Sequence, residues 1–162
     1  MMGLIDVWPK IRAHFRNSFG TTLHVAIASV DQDNNPTTTP IGSLFLNEDT
    51  TGFYFEKYTT SLPKNEVQNP NICVLAVNSS RFFWLKSLFK GYFPSYPAMK
   101  LYGKLGVKRK ATEREIYALK RRMRLTKRLK GHQYLWGKMG YVREVVFTRA
   151  EPIKLGKMTP GL

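Results

Sequence analysis

Cysteine, histidine and acidic residues are scarce in this sequence of 162 residues, which has one cysteine, three histidines and 11 Asp plus Glu. The lone Cys73 excludes an intramolecular disulfide and fits a reducing compartment. His14, His24 and His132 stand far apart, and no Cys/His grouping has zinc-site spacing, so no metal site is expected. A run of roughly 18 or more apolar residues, the minimum for a membrane-crossing helix, is missing. So is an N-terminal basic segment leading into an apolar stretch and a cleavage site, and a soluble, cytoplasmic protein is expected. There are no paired carboxylates at helical spacing and no GxSxG, HExxH or GxxxxGK(S/T) motif. Conventional hydrolase and nucleotide-kinase chemistries lose their usual signatures, and no residue is assigned a catalytic role.

What the chain does have is positive charge and apolar bulk. Lys plus Arg number 26, giving a net charge of +15, while 43% of residues are hydrophobic and 13% aromatic. That is ample for one buried core. A single domain over 1–162 is expected, with a core at about 20–150, an aromatic insertion at 81–97, a basic helix at 112–130 and a tail at 151–162 containing Pro152 and Pro160. Lys108 to Lys130 carries 11 of the bases against two acids, Glu113 and Glu115.

Hydrophobic periodicity supplies the elements. Val7, Ile11 and Phe15, with Trp8, share one face of a helix from Ile5 to Phe19, for which Gly20 is the expected stop. Leu23 to Val30 reads as a strand, the Asp/Asn-rich stretch to Pro36 as a turn, and Thr37 to Leu46 as its hairpin partner. Phe53 to Tyr58 then completes a three-strand meander. Ser61, as a cap closely followed by Pro63, predicts a short helix over Leu62 to Gln68 that ends at Asn69-Pro70. Ile72 to Asn78, Met99 to Val107 and Val142 to Thr148 are further strands, and Gly103 inside one of them predicts a bulge or a close backbone approach. Arg81 to Pro97, rich in aromatics, is long for a plain connection and is expected to be functional or partly folded. Thr112 caps a helix reaching Leu129, whose stripe is Ile116, Leu119, Met123 and, less regularly, Leu129. The fold class is mainly β within α+β: a six-stranded antiparallel split β-barrel with flanking helices.

The chemistry points to the stretch from Thr37 to Pro70. Hydroxyls at Thr59, Thr60 and Ser61, the first amides of the following helix and the Lys64 ammonium converge on a site for one phosphate, though the same residues also make an ordinary helix cap. The order LHVAIASVDQDNNPTTTPIGSLFL, then GFYFEKYTTS, then a helix ending in NP and the strand NICVLAVN, resembles the pyridoxamine 5'-phosphate oxidase-like family of FMN-binding split barrels. The likeness covers about Leu23 to Val107, and Val142 to Pro152 is similar to the family's last strand. It implies a homodimer with FMN at the subunit interface and a small-molecule substrate. Thr38, Thr39, Pro40, Ile41 and Gly42 would lie against the isoalloxazine ring, largely through backbone groups. Tyr58, Thr59, Thr60 and Ser61, with Lys64, would hold ribityl and phosphate. The implied activity is an oxidoreductase passing electrons between a reduced nicotinamide and a small acceptor, or else a non-catalytic flavin carrier. A deazaflavin or heme suits the same cleft.

Two positions depart from the family pattern. Leu62 stands where the family's lysine lies, so either Lys64 substitutes or the phosphate is held more weakly, and Glu56 puts a carboxylate, repulsive to a phosphate, where a neutral hydroxyl is common. Arg143, Trp136 and His132 are either an active-site rim or packing and surface residues. The basic helix is either a solvated face or a nucleic-acid footprint. The aromatic segment 82–96 either packs at a dimer contact or over the flavin, which is the favoured reading, or touches a membrane surface.

Overall fold

The three residues Leu23, Gly42 and Gly91 mark places where this chain changes direction. The fold they punctuate comes from a computed structural model that describes residues 3–159; Pro160, in the expected tail, lies outside them. Helix α1 (Leu4–Thr22) turns Trp8, Ile11, Phe15 and Phe19 into the core. It does not stop at Gly20. The Thr21 and Thr22 hydroxyls both donate to the Ser18 carbonyl and carry the last turn onward, and the chain leaves the helix at Leu23, in the left-handed region with φ 63°.

The strands β1 (Val25–Val30), β2 (Pro36–Ile41), β3 (Leu44–Leu46) and β4 (Thr51–Phe55) precede helix α2 (Ser61–Glu66) and strand β5 (Asn71–Val77). Helix α3 (Arg81–Lys90), strand β6 (Ala98–Lys110), helices α4 (Glu113–Arg122) and α5 (Lys130–Trp136) and strand β7 (Tyr141–Pro152) complete the order. The seven strands form one antiparallel sheet in the order β2-β1-β5-β6-β7-β4-β3.

That order corrects the expected meander and the expected six strands. Thr37 to Leu46 is two strands, because both Ser43 and Leu44 are buried, which a single strand of alternating faces cannot do. β2 and β3 are joined only by Gly42-Ser43, yet lie at opposite edges of the sheet. The sheet must therefore curl until its edges approach, which makes a split barrel. Ser43 secures the link: its hydroxyl accepts the Phe55 N–H at 3.1 Å.

The inner face of the curled sheet, including Ile27, Leu44, Tyr54, Val74, Leu101 and Val145, packs with the α1 stripe as one core. Between β6 and β7 the register shifts at Tyr102/Gly103, as the glycine predicted. A Cβ on Gly103 would sit 2.5 Å from the Val146 carbonyl oxygen.

One further expectation is made specific and one is corrected. The aromatic stretch after Ser80 folds as α3, because the Ser80 hydroxyl accepts the Phe83 N–H at 3.3 Å and Gly91, with φ 78°, ends the helix. The basic segment is not one helix: α4 ends before Met123, a 3-10 turn spans Arg124–Thr126, and α5 follows. Its stripe stops there, since Leu125 and Leu129 are exposed and offer nothing to dock a longer helix. Thr112 caps α4 as expected, and Glu115 closes the capping box. Leu119, Ile116, Met123 and Trp136 pack on Phe53, Phe55 and Val142 as a second, smaller core.

Candidate flavin cradle

Asn65 decides where α2 sits. Its side-chain amide donates to the Ser29 hydroxyl at 2.9 Å and to the Thr37 hydroxyl at 3.0 Å, and those two oxygens are themselves 2.9 Å apart. This buried cluster pins α2 across β1 and β2, so the segment Thr59 to Lys64 lies beside the strand holding Thr38 to Ile41. Along β2, Thr38 and Pro40 face outward, Thr39 is half-buried and the Ile41 side chain is in the core, leaving Ile41 only its backbone for a ligand. Gly42 has no room for a side chain, since a Cβ there would meet the Leu23 carbonyl at 3.0 Å and the Trp136 ring at 3.3 Å.

The turn before α2 contains the one unsatisfied buried side-chain oxygen or nitrogen among the described residues, the Thr59 hydroxyl. Native interiors rarely leave such a group unpaired, because desolvating it costs about 1–3 kcal/mol. Thr60 occupies the cap position in place of Ser61 and makes no side-chain capping bond, while Ser61 opens the helix. The first helical amides have no partner within the helix, and Pro63 contributes none. Tyr58, exposed, donates its hydroxyl to the Tyr134 carbonyl of α5, and the Lys57 ammonium lies 4.8 Å from its ring centre. Lys64 is exposed one turn on; the Asn35 backbone N–H chiefly holds the Asp31 carboxyl below the usual range, and the Lys64 charge adds a smaller share.

Glu56 does not act as the repulsive carboxylate that its position in the sequence suggests. The Arg143 guanidinium grips it with Nε at 2.6 Å and Nη2 at 2.9 Å, the Tyr54 hydroxyl donates to it at 2.9 Å, and Lys108 lies 3.5 Å away. Burial pushes its carboxyl up, but these partners outweigh burial and hold it below the usual range. Burial likewise pushes the Tyr54 phenol far up. Arg143 is thereby committed to structure rather than to a rim. Trp136 packs in the second core, and His132 lies 3.1 Å from the Thr126 hydroxyl.

Arg122 is a residue that sequence reasoning passed over as one base among many. Its guanidinium lies 4.2 Å from the centre of the Phe19 ring and 3.6 Å from that of Phe45, and donates to the carbonyls of Gly42 and Leu44. Burial brings it down to about 10. It clamps the link between β2 and β3, and its signal in the sequence was position: it follows the stripe residue Leu119 by three.

No family model and no curated protein matches the sequence. Solved structures do. An FMN-binding protein from Syntrophomonas wolfei superposes with a TM-score of 0.56 at 12% identity, covering 91% of this chain and 92% of that one. A candidate pyridoxamine 5'-phosphate oxidase from Listeria innocua gives 0.51 at 14% identity over 90% of this chain and 96% of the other. HutZ, a heme storage protein from Vibrio cholerae, gives 0.50 at 11% identity over 91% and 90%. The curled seven-stranded sheet is thus the split-barrel fold shared by pyridoxamine 5'-phosphate oxidase-like and FMN-binding proteins.

Proposed function

We propose that this protein binds a flavin, FMN, and uses it as an oxidoreductase between a reduced nicotinamide and a small acceptor. The observation that carries the reading is the buried Thr59 hydroxyl without a partner. It stands at the turn where hydroxyls, helix amides and positive charge gather, and a phosphate oxygen is the acceptor it lacks. Glu56, already neutralised by Arg143, does not oppose an anion there. Thr59, Thr60 and Ser61 hold the phosphate, with Lys64 as a more distant cation, and Tyr58 flanks the ribityl chain. The backbone of Thr38 to Gly42 faces the ring. The flavin supplies the electron-transfer chemistry, and the chain orients it and excludes water. A reducing, cytoplasmic setting suits a chain with one cysteine.

The test is an absorbance spectrum of the purified protein followed by FMN titration of the colourless form. Thr59→Val is expected to weaken FMN binding about tenfold, the value of one charge-assisted hydrogen bond, while leaving stability unchanged or slightly raised. Equal affinity in the variant would refute the phosphate assignment. Turnover of reduced nicotinamide by the loaded protein separates an enzyme from a carrier.

A second reading has its own observation. His132 lines an apolar cleft of about 640 Å³ with Leu129, Leu135 and Trp136, and a heme storage protein shares the fold. A Soret band on heme addition that is lost in His132→Ala would favour heme in that cleft over flavin in the cradle.

A further inference from the structure

Helix α3 has two unlike faces. Phe83 and Trp84 turn inward against Phe93, with ring centres 5.6 and 5.1 Å from it, and the Trp84 indole N–H donates to the Asn78 carbonyl at 2.6 Å. Ser87, one turn on, is fully buried and donates its hydroxyl to the Phe83 carbonyl. The opposite face is open. Phe82, Leu85, Leu88 and Phe89 are between 62% and 92% exposed, and Phe82, Leu85 and Phe89, at i, i+3 and i+7, form one ridge. Lys86 and Lys90 project beside that ridge, both exposed, and Arg81 stands at its start.

Four large apolar side chains exposed together on one helix mark an interaction surface rather than scattered surface hydrophobes, and the charge beside them selects the occupant. The sequence contains no Asp or Glu between Glu66 and Glu113. A second copy of this chain docked on the same face brings Arg81, Lys86 and Lys90 against their own kind. An anionic lipid surface complements both features, taking the phenyl and leucyl side chains at the depth of the headgroups and the bases against its phosphates. We propose that α3 is a membrane-surface anchor that lays the Phe82, Leu85 and Phe89 ridge into the interface of an anionic bilayer. Trp84, with its ring against Phe93 and its N–H on the Asn78 carbonyl, is turned away from that interface, which leaves Phe82 and Phe89 to enter it. The cradle reading plays no part in this proposal.

The full chain is to be mixed at physiological salt with vesicles of phosphatidylglycerol and phosphatidylcholine in equal parts, and with vesicles of phosphatidylcholine alone. Cosedimentation with the first and not the second is expected. Replacing Phe82, Leu85 and Phe89 together by Ser is expected to lower partitioning about tenfold or more, and Lys86→Gln roughly fivefold. A Phe89→Trp variant is expected to show a blue-shifted emission on anionic vesicles. Three results would overturn the proposal: no binding by the unaltered chain, equal binding by the triple serine variant, which reduces the effect to net charge, or an unshifted Phe89→Trp emission. Light scattering that finds the triple variant monomeric where the parent is dimeric, with vesicle binding unaltered, assigns the ridge to a second copy and also overturns it.

Discussion

Glu56 shows how one residue can read as an obstacle in the sequence and as a support in the fold. The Glu56 and Arg143 side chains are 2% and 9% exposed, and they lie 87 positions apart, so no local pattern announces the pair. Removing one charge strands the other in a poorly solvated place. Glu56→Gln keeps the shape and is expected to cost about 3 kcal/mol or more at neutral pH, read by urea unfolding. The sign with pH follows from the depressed folded-state value of Glu56. Its contribution is complete above the ordinary carboxylate range and is lost as pH falls through the lower, folded value. The parent is therefore expected to lose stability through that acid window while Glu56→Gln shows a flatter acid limb. Parallel acid limbs in the two proteins would show that the pair does not govern this dependence.

Among the elements, the β6/β7 pair is the long spine of the sheet, and Gly103 is what allows its mid-strand shift in register. A methyl at Gly103 has backbone on two sides, the Val146 oxygen at 2.5 Å and the Phe147 Cα at 3.2 Å, neither of which can rotate away. Gly103→Ala is expected to cost about 1–3 kcal/mol, checked by thermal or chemical unfolding. A cost near zero would mean that the two strands separate freely at the bulge. Gly103 was legible in the sequence because an interior glycine contradicts its strand, and the α1 stripe and the Thr112 cap were legible for equally local reasons. The division of Thr37–Leu46 between opposite sheet edges was not, because the alternation on either side of Gly42-Ser43 reads the same for one strand as for two. The helicity of 81–90 was legible only as partial folding of a long connection, because its apolar residues follow no single stripe; the signals that specify the helix are its cap and stop, Ser80 and Gly91. In the candidate site, the hydroxyl cluster was visible as a motif. The buried, unpartnered state of Thr59 and the neutralisation of Glu56 depend on α2 and β7, and only the fold brings those together.

At the scale of the whole molecule, the cradle is open on one side. The clefts of about 570 and 640 Å³ that the single chain forms near α4 and α5 are lined by residues other than Thr38 to Gly42 and Thr59 to Lys64. β2 is an edge strand with Thr38 and Pro40 turned outward. Bound ligands of this size usually have most of their surface covered, and an edge strand with one bare face covers at most one side of a flat ring. A second copy against that face is the simplest complement, and it is the homodimer, with FMN at its interface, that the family resemblance implies. If two copies complete each site, FMN and dimerisation are linked, and each must strengthen the other. FMN at a hundred times its Kd is then expected to stabilise the protein by about 2.7 kcal/mol, a rise in midpoint of roughly 5–10 °C for a chain of this length. Diluting the protein below its dimer dissociation constant is expected to raise the apparent Kd for FMN, while light scattering follows the loss of dimer. An FMN affinity that stays constant through dissociation would place the whole site within one chain and leave the bare face of β2 to some other partner.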